Sequence, residues 1–433
     1  MSAYEQAVEY LLDIPRFTKN KDNNNLRRIL DKLGSPDRSF KIVHVAGTNG
    51  KGSVCAFMNS ILCQAGYKVG LFTSPHLVKI NERIRINSEN ISDEEFLSAY
   101  EKSKTAVEQI INEGGEHPSF FEYILLVALT AFANAKVEYV ILEVGLGGRL
   151  DATNIIEKPI VSIISSVSKD HMEILGENIS DIAKEKAGII KTGTPVVYWG
   201  ECAQVSEVME AAAKECGTKA ICVKKDCIKI ESKTNKSIDF SLFKGYDMYE
   251  CLSIPFVMEY QAWNASLVLC ALAEVMPELE ADTVRKGLML TRWPGRMEEI
   301  APRVYLDGAH NYDGVLQFKN YVGELVAEKN AGVYILFTVV KEKEYYQMMD
   351  LIEEIEGVKG YLVAPIMSAR ATAVNELAGY LKMSGKPVYT FESLEDAYNY
   401  GLELKGAEDY LFCVGSLYMV GEIKKLNDTE VRL

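Results

Sequence analysis

The chain has 433 residues, 48% of them apolar and 25% charged, with a formal net charge of -14. That length fits two or three domains with sizeable cores, and the composition is neither collagen-like nor disordered. The excess of 61 Asp and Glu over 47 Lys and Arg argues against nucleic acid or a membrane as partner, since both are anionic; an anionic substrate would need a local basic pocket.

Nine cysteines occur, Cys222 and Cys227 being the closest pair, with no C-x-x-C. Cys55, Cys63 and Cys270 lie in apolar, helix-like stretches, so reduced buried thiols of a cytoplasmic protein are expected rather than a zinc site. The N-terminal MSAYEQAVEYLLDIPRF carries acidic residues and lacks the apolar core of a signal peptide. No run approaches the roughly 18 apolar residues of a membrane span.

Residues 41–47 (KIVHVAG) read as a buried strand, and Val54, Phe57, Met58, Ile61 and Leu62 then recur at helical spacing. A second strand follows in YKVGLFTS, with helices at 92–111 and 119–135. Residues 137–145 and 159–167 are β-rich runs without polar alternation, as in strands covered on both faces, so the sheet is expected to be parallel and helix-covered. Residues 225–257 alternate and contain turn residues, which suggests antiparallel strands or a hairpin at a sheet edge. A second α/β series begins near 303 with RVYLDG, VYILFTVV, GYLVAP, PVYTF and DYLFCV. Pro294-Gly295 punctuates the junction, which places a domain boundary around 293–300. Ligands of such sheets bind at the carboxyl ends of strands and often between domains.

Between the first strand and its helix lies Gly47-Thr48-Asn49-Gly50-Lys51-Gly52-Ser53. Glycines let backbone amides curl toward an anion, the helix N-terminus adds its dipole, Lys51 supplies a charge and Ser53 can reach Mg²⁺. The order G-K-G-S is a variant of the usual phosphate loop, and a plain tight turn is the alternative. Glu143 ends the run 137–145, and Gly145-Leu146-Gly147-Gly148-Arg149 follows. His171 follows the next strand, so neighbouring parallel strands would bring Glu143 and His171 together. A buried acid at a strand end is costly unless paired or metal-bound, and Mg²⁺ prefers oxygen, so a structural hydrogen bond and a metal site both stay open. In SDIAKEKAGII, Ser180 reads as the N-cap, and Ile182, Lys186, Ile189 and Ile190 share one face. Lys186 there either snorkels to water or is a desolvated amine of lowered pKa, able to trap CO₂ or bind phosphate.

The segments HVAGTNGKGS, TSPHLVKINERIRIN, SFFEYILL, ILEVGLGGRLDATN, KDHMEILG, EKAGII, WPGRME, LDGAHN and VGSLYMVGE, in order from about residue 41 to 423, resemble the signatures of the folylpolyglutamate synthase/dihydrofolate synthase family, within the Mur ligase superfamily. The resemblance implies an α/β fold. Residues 1–295 would form an N-terminal, P-loop-type, mostly parallel sheet domain covered by helices, with the ATP and pterin or folate sites. Residues 296–433 would form a smaller C-terminal Rossmann-like domain.

By position, the resemblance implies that Asn49, Gly50, Lys51, Gly52 and Ser53 hold the ATP phosphates, that Asn264 meets the adenine and Arg296 the phosphates, and that Asp307 and His310 contact ATP from the second domain. Ser53, Ser74, Glu143 and His171 would be the metal ligands, with Lys51, Lys186 and His171 catalytic. Lys186 matches a lysine that is carbamylated in the family. Ser119, Phe120, Phe121 and Glu122, with Leu150, Asp151 and Ala152, would line the pterin site. ATP, Mg²⁺ at two sites, a carbamate on Lys186 and a monovalent cation are the cofactors it brings. Departures from the family occur at Tyr260, where histidine is usual, at Tyr312, where proline is usual, in Lys341-Glu342-Lys343-Glu344, and in FTKNKDNNNLRRIL (17–30), which lacks a glycine.

The expected activity is an ATP-dependent amide ligase that adds L-glutamate to dihydropteroate and to tetrahydrofolate through an acyl phosphate. Closure of the second domain, hinged at 292–300, would exclude water. The alternatives are extension of reduced folates alone, another Mur-type ligase, or a nucleotide-binding switch without catalysis. A monomer with small-molecule substrates, and no nucleic-acid or membrane partner, is expected.

Overall fold

A computed structural model of the chain describes residues 1–15, 23–244, 247–341, 345–368 and 370–430. Residues 17–22 of the N-terminal segment and 342–344 of the loop after Lys341 lie outside them. The chain forms two compact units, one of Met1–Pro255 with Glu259–Arg292 and one of Phe256–Met258 with Trp293–Leu433.

The first unit is built on strands β1 (Lys41–Ala46), β2 (Val69–Phe72), β3 (Ile84–Ile86), β4 (Glu89–Asn90), β5 (Tyr139–Glu143), β6 (Val161–Ile164), β7 (Val196–Trp199) and β8 (Ala220–Val223). They form one sheet in the order β4-β3-β2-β5-β1-β6-β7-β8. The pairs from β2 to β8 are parallel, and β3 and β4 add an antiparallel edge. Every residue of β2, β5, β6 and β7 is buried, as apolar runs without alternation require when helices cover both faces.

The strand order corrects one expectation. β5 and β6 are not neighbours, because β1 lies between them. The chain reverses its direction of winding at β1, and the crevice at the carboxyl ends of such strands is where α/β sheets bind ligands. Glu143 and His171 therefore follow strands on either side of the phosphate loop.

The segment 225–257 also differs from its expectation. Strands β9 (Ile228–Lys233), β10 (Ile238–Lys244) and β11 (Asp247–Ile254) form their own antiparallel sheet instead of extending the large one. Ile238, Phe240 and Leu242 alternate inward, and the sheet packs on the helices Tyr260–Val275 and Ala281–Leu290, which supply the apolar cover that a sheet edge would not.

Helix Ile179–Ala187 starts at an Asn178 cap, whose side chain accepts from Asp181 N, rather than at Ser180. Asn178 has the extended φ of -112° that a capping residue needs. The helix stops at Ala187, so Ile189 and Ile190 lie beyond it, although both are buried. Lys186 is in its last turn.

In the second unit, β12 (Glu298–Ala301), β13 (Val304–Asp307), β14 (Val333–Phe337), β15 (Val358–Val363), β16 (Val388–Thr390) and β17 (Tyr410–Val414) are ordered β12-β13-β17-β14-β15-β16. All pairs are parallel except β12 with β13, so the five expected strands are present with an additional antiparallel edge. Among the described residues the nine cysteines form no disulfide, and Cys55, Cys270 and Cys413 are buried. Among the described residues no helix is long and apolar enough to cross a membrane.

The helix after the phosphate loop, Lys51–Gln64, is buried along most of its length, and helix Ala281–Leu290 lies directly on it. A Cβ at Gly287 would sit 2.6 Å from Ile61 Cα, a backbone atom that cannot turn aside. Gly287→Ala should therefore destabilise the protein by about 1–3 kcal/mol through overpacking, less the roughly 1 kcal/mol of helix propensity gained. Urea unfolding of the two proteins measures this; a stabilised variant would contradict the packing.

Candidate active site

The phosphate-loop geometry depends on two glycines. Gly47 has φ +151°, and a Cβ there would lie 1.8 Å from Ser165 Oγ. Gly50 has φ +87°, and a Cβ there would lie 2.4 Å from Asn264 Oδ1. The loop is latched to the segment after β6. Thr48 N donates to Ser166 O at 2.7 Å, Thr48 Oγ1 donates to Ser168 O at 3.1 Å and accepts from Ser168 N at 3.1 Å, and Ser165 Oγ donates to Asn49 O at 2.7 Å. Gly50 caps the helix without a side chain, which leaves first-turn amides to a ligand.

Lys51 is the first residue of that helix and half-buried, not part of a solvent-facing loop. Its Nζ donates back to Gly47 O and Thr48 O, each at 3.1 Å, because the loop's carbonyls are the nearest acceptors. Gly52 and Ser53 are buried in the first turn, and Ser53 Oγ has no hydrogen-bond partner.

On one side of the loop, buried Glu143 ends β5, and its Oε2 accepts from Ser74 N at 3.0 Å. On the other, His171 sits at φ 51° with its Nε2 3.8 Å from Asp170 Oδ1 and its side chain 40% exposed. Among the described residues no three His, Cys, Asp or Glu side chains gather as a metal cluster. A cation here would rely on hydroxyl and phosphate oxygens beside Glu143. The buried, unsatisfied Ser53 hydroxyl and the Glu143 carboxylate are oxygen donors of the kind that Mg²⁺ takes.

Lys186 is 2% exposed, and its Nζ donates to Gly47 O at 2.8 Å. Burial pushes its pKa down to about 7, with Lys51 adding to the shift and Asp170 and Asp151 opposing it. The snorkelling alternative does not hold, since the amine is inside the protein. The glycines after Glu143 explain how it is held. A Cβ at Gly148 would lie 2.7 Å from Glu185 O and 3.0 Å from Lys186 O. Arg149 N donates to Glu185 O at 2.7 Å, and the Arg149 guanidinium pairs with Glu185 Oε1.

Ser119 and Glu122 form a capping box at the start of helix Phe120–Ala135, with Ser119 Oγ donating to Glu122 Oε2 at 2.6 Å. The Arg83 guanidinium lies 5.3 Å from the Phe120 ring centroid, and Arg83 Nε donates to His76 Nδ1 at 2.8 Å. Phe121 packs on Phe72 and fills the space above Gly145, where a Cβ would lie 2.7 Å from its Cζ. Leu150 is 44% exposed, whereas Asp151 and Ala152 are buried. Both Asp151 oxygens are engaged, accepting from Leu146 N, Thr153 N and Thr153 Oγ1.

In the second unit, Asp307 ends β13, buried, and accepts from Met297 N and Ala309 N, each at 2.8 Å. Burial raises its pKa, while Arg296 and those amides hold it down. Arg296 donates to Gly295 O, and His310 Nδ1 donates to Gly308 O at 2.7 Å. Asp307 thus pins the two turns that carry Arg296 and His310.

Residues 45–272, which contain the phosphate loop, Glu143, His171 and Lys186, match the Mur ligase middle domain. Over 432 residues the chain is 33% identical to the dihydrofolate synthase/folylpolyglutamate synthase of Bacillus subtilis, covering 98% of this chain and 99% of that one. The chain belongs to this family of Mur ligases. It is 31% identical over 355 residues to the folylpolyglutamate synthase of Lacticaseibacillus casei, 80% of this chain and 82% of that one. Among solved structures, Mycobacterium tuberculosis folylpolyglutamate synthase complexed with ADP matches with a TM-score of 0.89 and 29% identity over 98% of each chain. Escherichia coli FolC in complex with DHPP and ADP matches with a TM-score of 0.87 and 28% identity, over 99% of this chain and 98% of that one.

The sequence alone leaves Ser165, Ser166 and Ser168 unassigned, although they hold the phosphate loop. Their signal is the abrupt run of hydroxyl residues at the end of an apolar strand. Glu185, which carries the Arg149 pair, is marked only by its place beside Lys186.

Lys186 should react with an amine-directed acylating reagent with a midpoint near pH 7, to which burial lowers it, not near the roughly 10.4 of an exposed lysine. Below that midpoint the amine is protonated and inert; above it the neutral form reacts. Peptide mass analysis across a pH series reads the midpoint, and a value near that of exposed lysines would contradict the burial.

Proposed function

We propose that the chain joins L-glutamate to dihydropteroate and adds further glutamates to reduced folates, using ATP and releasing ADP and phosphate. The observation that carries this reading is the buried Lys186 amine, hydrogen-bonded to the phosphate loop at Gly47 O. Matches over nearly the full length of the folate enzymes support the choice of acid.

A carboxylate is a poor electrophile, so the acid takes the γ-phosphoryl group first. The amine of glutamate attacks the acyl phosphate, phosphate leaves, and the amine proton passes to solvent or base. The site must keep water from the acyl phosphate. Lys51, now folded on its own loop, would turn to the triphosphate, and the first-turn amides of its helix would bind phosphate oxygens. Ser53 and Glu143, with Ser74 and His171, are the residues that would hold Mg²⁺. When bound, Mg²⁺ neutralises charge on the transferring phosphoryl group. Phe120, Phe121, Leu150 and Ala152 are read as the apolar wall for the pterin, Asn264 as the adenine contact, and Arg296 and His310 as nucleotide contacts. A cytoplasmic location completes the reading.

Lys186, partly neutral at working pH because burial lowers its pKa to about 7, would add to CO₂ through its nitrogen lone pair and lose one proton, leaving an anionic carbamate. That anion needs a cation beside it, which the Glu143 site would provide.

Extension of reduced folates alone is the second reading, since the Lacticaseibacillus casei relative is named for that activity only. ADP release with dihydropteroate and with tetrahydrofolate, each with glutamate, separates the two. Release with both supports the first reading, release with tetrahydrofolate only supports the second, and release with neither refutes both.

Lys51→Ala should lower ligation about 10²-fold or more, the scale lost with one preorganised charge-stabilising group, with an unchanged circular dichroism spectrum. Near-normal turnover would sink the loop's assignment. Lys186→Ala should be nearly inactive and partly restored by short carboxylic acids that fill the vacated position, while native mass analysis of the parent protein with Mg²⁺ and ATP added should show one CO₂ that the substrate-free, metal-free protein lacks. An unmodified lysine together with a mild variant would remove Lys186 from the chemistry.

A further inference from the structure

His44 lies fully buried in β1, shortly before Gly47. Its Nε2 is 2.8 Å from Thr153 Oγ1. Thr153 has a single hydroxyl proton, which goes to Asp151 Oδ1 at 2.6 Å. The bond between His44 and Thr153 therefore needs its proton on Nε2, which leaves Nδ1 bare. Nδ1 is buried with no hydrogen-bond partner, so a proton there would bury a charge and a donor with nothing to receive it. Burial, with Lys191 adding, pushes the ring's pKa down to about 3. The imidazole is a fixed neutral donor and not a proton shuttle.

The chain of contacts continues to the reaction site. Asp151 accepts from Leu146 N and Thr153 N, each at 3.0 Å. Leu146 belongs to the loop whose Gly148 is pressed on the carbonyls of Glu185 and Lys186. Lys186 Nζ then returns to Gly47 O, next along the chain from β1, where the series began. The contacts close a circuit through β1, the loop 145–151 and helix Ile179–Ala187.

We propose that His44 is a positioning residue for the ligation reaction: through Thr153 and Asp151 it fixes the loop 145–151, and through that loop it sets the Lys186 amine against the phosphate loop. This rests on the reading of Lys186 and the phosphate loop as the reaction site. Hydrogen bonds in a low-dielectric interior strengthen one another. Removing the first donor leaves a Thr153 lone pair unsatisfied and weakens the grip on Asp151.

The test compares His44→Leu with His44→Gln, and Thr153→Val with Thr153→Ser. Leucine and valine remove the donor or the hydroxyl at similar volume, whereas glutamine and serine keep them. The first readout is acylation of Lys186 in the substrate-free protein, followed by peptide mass analysis above its titration midpoint. The second is the split of kcat from KM for ATP in the ADP-release assay.

His44→Leu and Thr153→Val should label Lys186 about tenfold faster, the scale of one lost buried hydrogen bond. Their kcat should fall about tenfold with KM within about twofold. His44→Gln and Thr153→Ser should restore both. Should His44→Leu fail to fold, the nearly isosteric Thr153→Val carries the comparison. Folded Leu and Val variants that melt earlier yet label at the parent rate would overturn the proposal, as would Gln and Ser variants that behave like them. Labelling needs no substrate, so a parent protein that releases no ADP with any folate would defeat the ligase reading while labelling still decided how Lys186 is placed.

Discussion

The site depends on one buried hydrogen bond, from the Lys186 amine to the carbonyl of Gly47. A charged amine in that place would face a heavy desolvation cost. The protein lessens it by lowering the pKa to about 7 and by giving an N–H of the amine a backbone acceptor. The surrounding arrangement follows from keeping that amine in register. Gly148 and Gly188 have no Cβ, because one at Gly148 would strike Glu185 O and one at Gly188 would strike Arg149 Cβ at 2.4 Å. Arg149 clamps Glu185 from outside. The glycine-rich segment after Glu143 is thus as much a packing surface for helix Ile179–Ala187 as a candidate ligand loop.

The same economy explains the acids near the site. Asp151 and Asp307 are both buried, and each has both oxygens engaged, Asp151 by two backbone amides and the Thr153 hydroxyl and Asp307 by two backbone amides. A carboxylate used in this way fixes a loop, because each oxygen takes a donor whose alternative would be a lost hydrogen bond. Glu143 differs in its place, at the end of β5 beside the phosphate loop, where its Oε2 accepts from Ser74 N.

Much of the first unit was legible because buried parallel strands have a composition of their own. The runs at 41–47, 137–145 and 159–167 are apolar without alternation, and they became β1, β5 and β6. Strand order was not legible, since composition says that a strand is buried and not beside which strand, and β1 separates β5 from β6. The antiparallel character of 225–257 was readable from alternation, whereas its separation into a sheet of its own depended on the cover given by two later helices. At the phosphate loop, glycines and a lysine in a short span announced the chemistry. The serines that latch it did not, because Ser165 and Ser168 act through backbone contacts that any small hydroxyl residue could make. Lys186 was ambiguous for a related reason. Helical spacing puts a side chain on the buried face, but a long lysine can reach water from there, and only the position of its head group decides.

The electrostatics give the last constraint. The chain carries -14, yet a triphosphate must enter. A field of that sign is screened over about 10 Å at ordinary salt, so affinity has to be built locally. Lys51 and the open helix N-terminus supply positive potential, while Asp151 has its charge taken up by internal donors. A neutral Lys186 adds nothing to anion binding. As a carbamate it would add a negative charge, which would need a cation held nearby, the role Ser53 and Glu143 are read as supporting. Under the proposed chemistry, metal, carbamate and nucleotide would therefore be mutually dependent, each reducing the cost of the next. Such a coupled site would be competent for phosphoryl transfer only with metal, carbamate and nucleotide all in place.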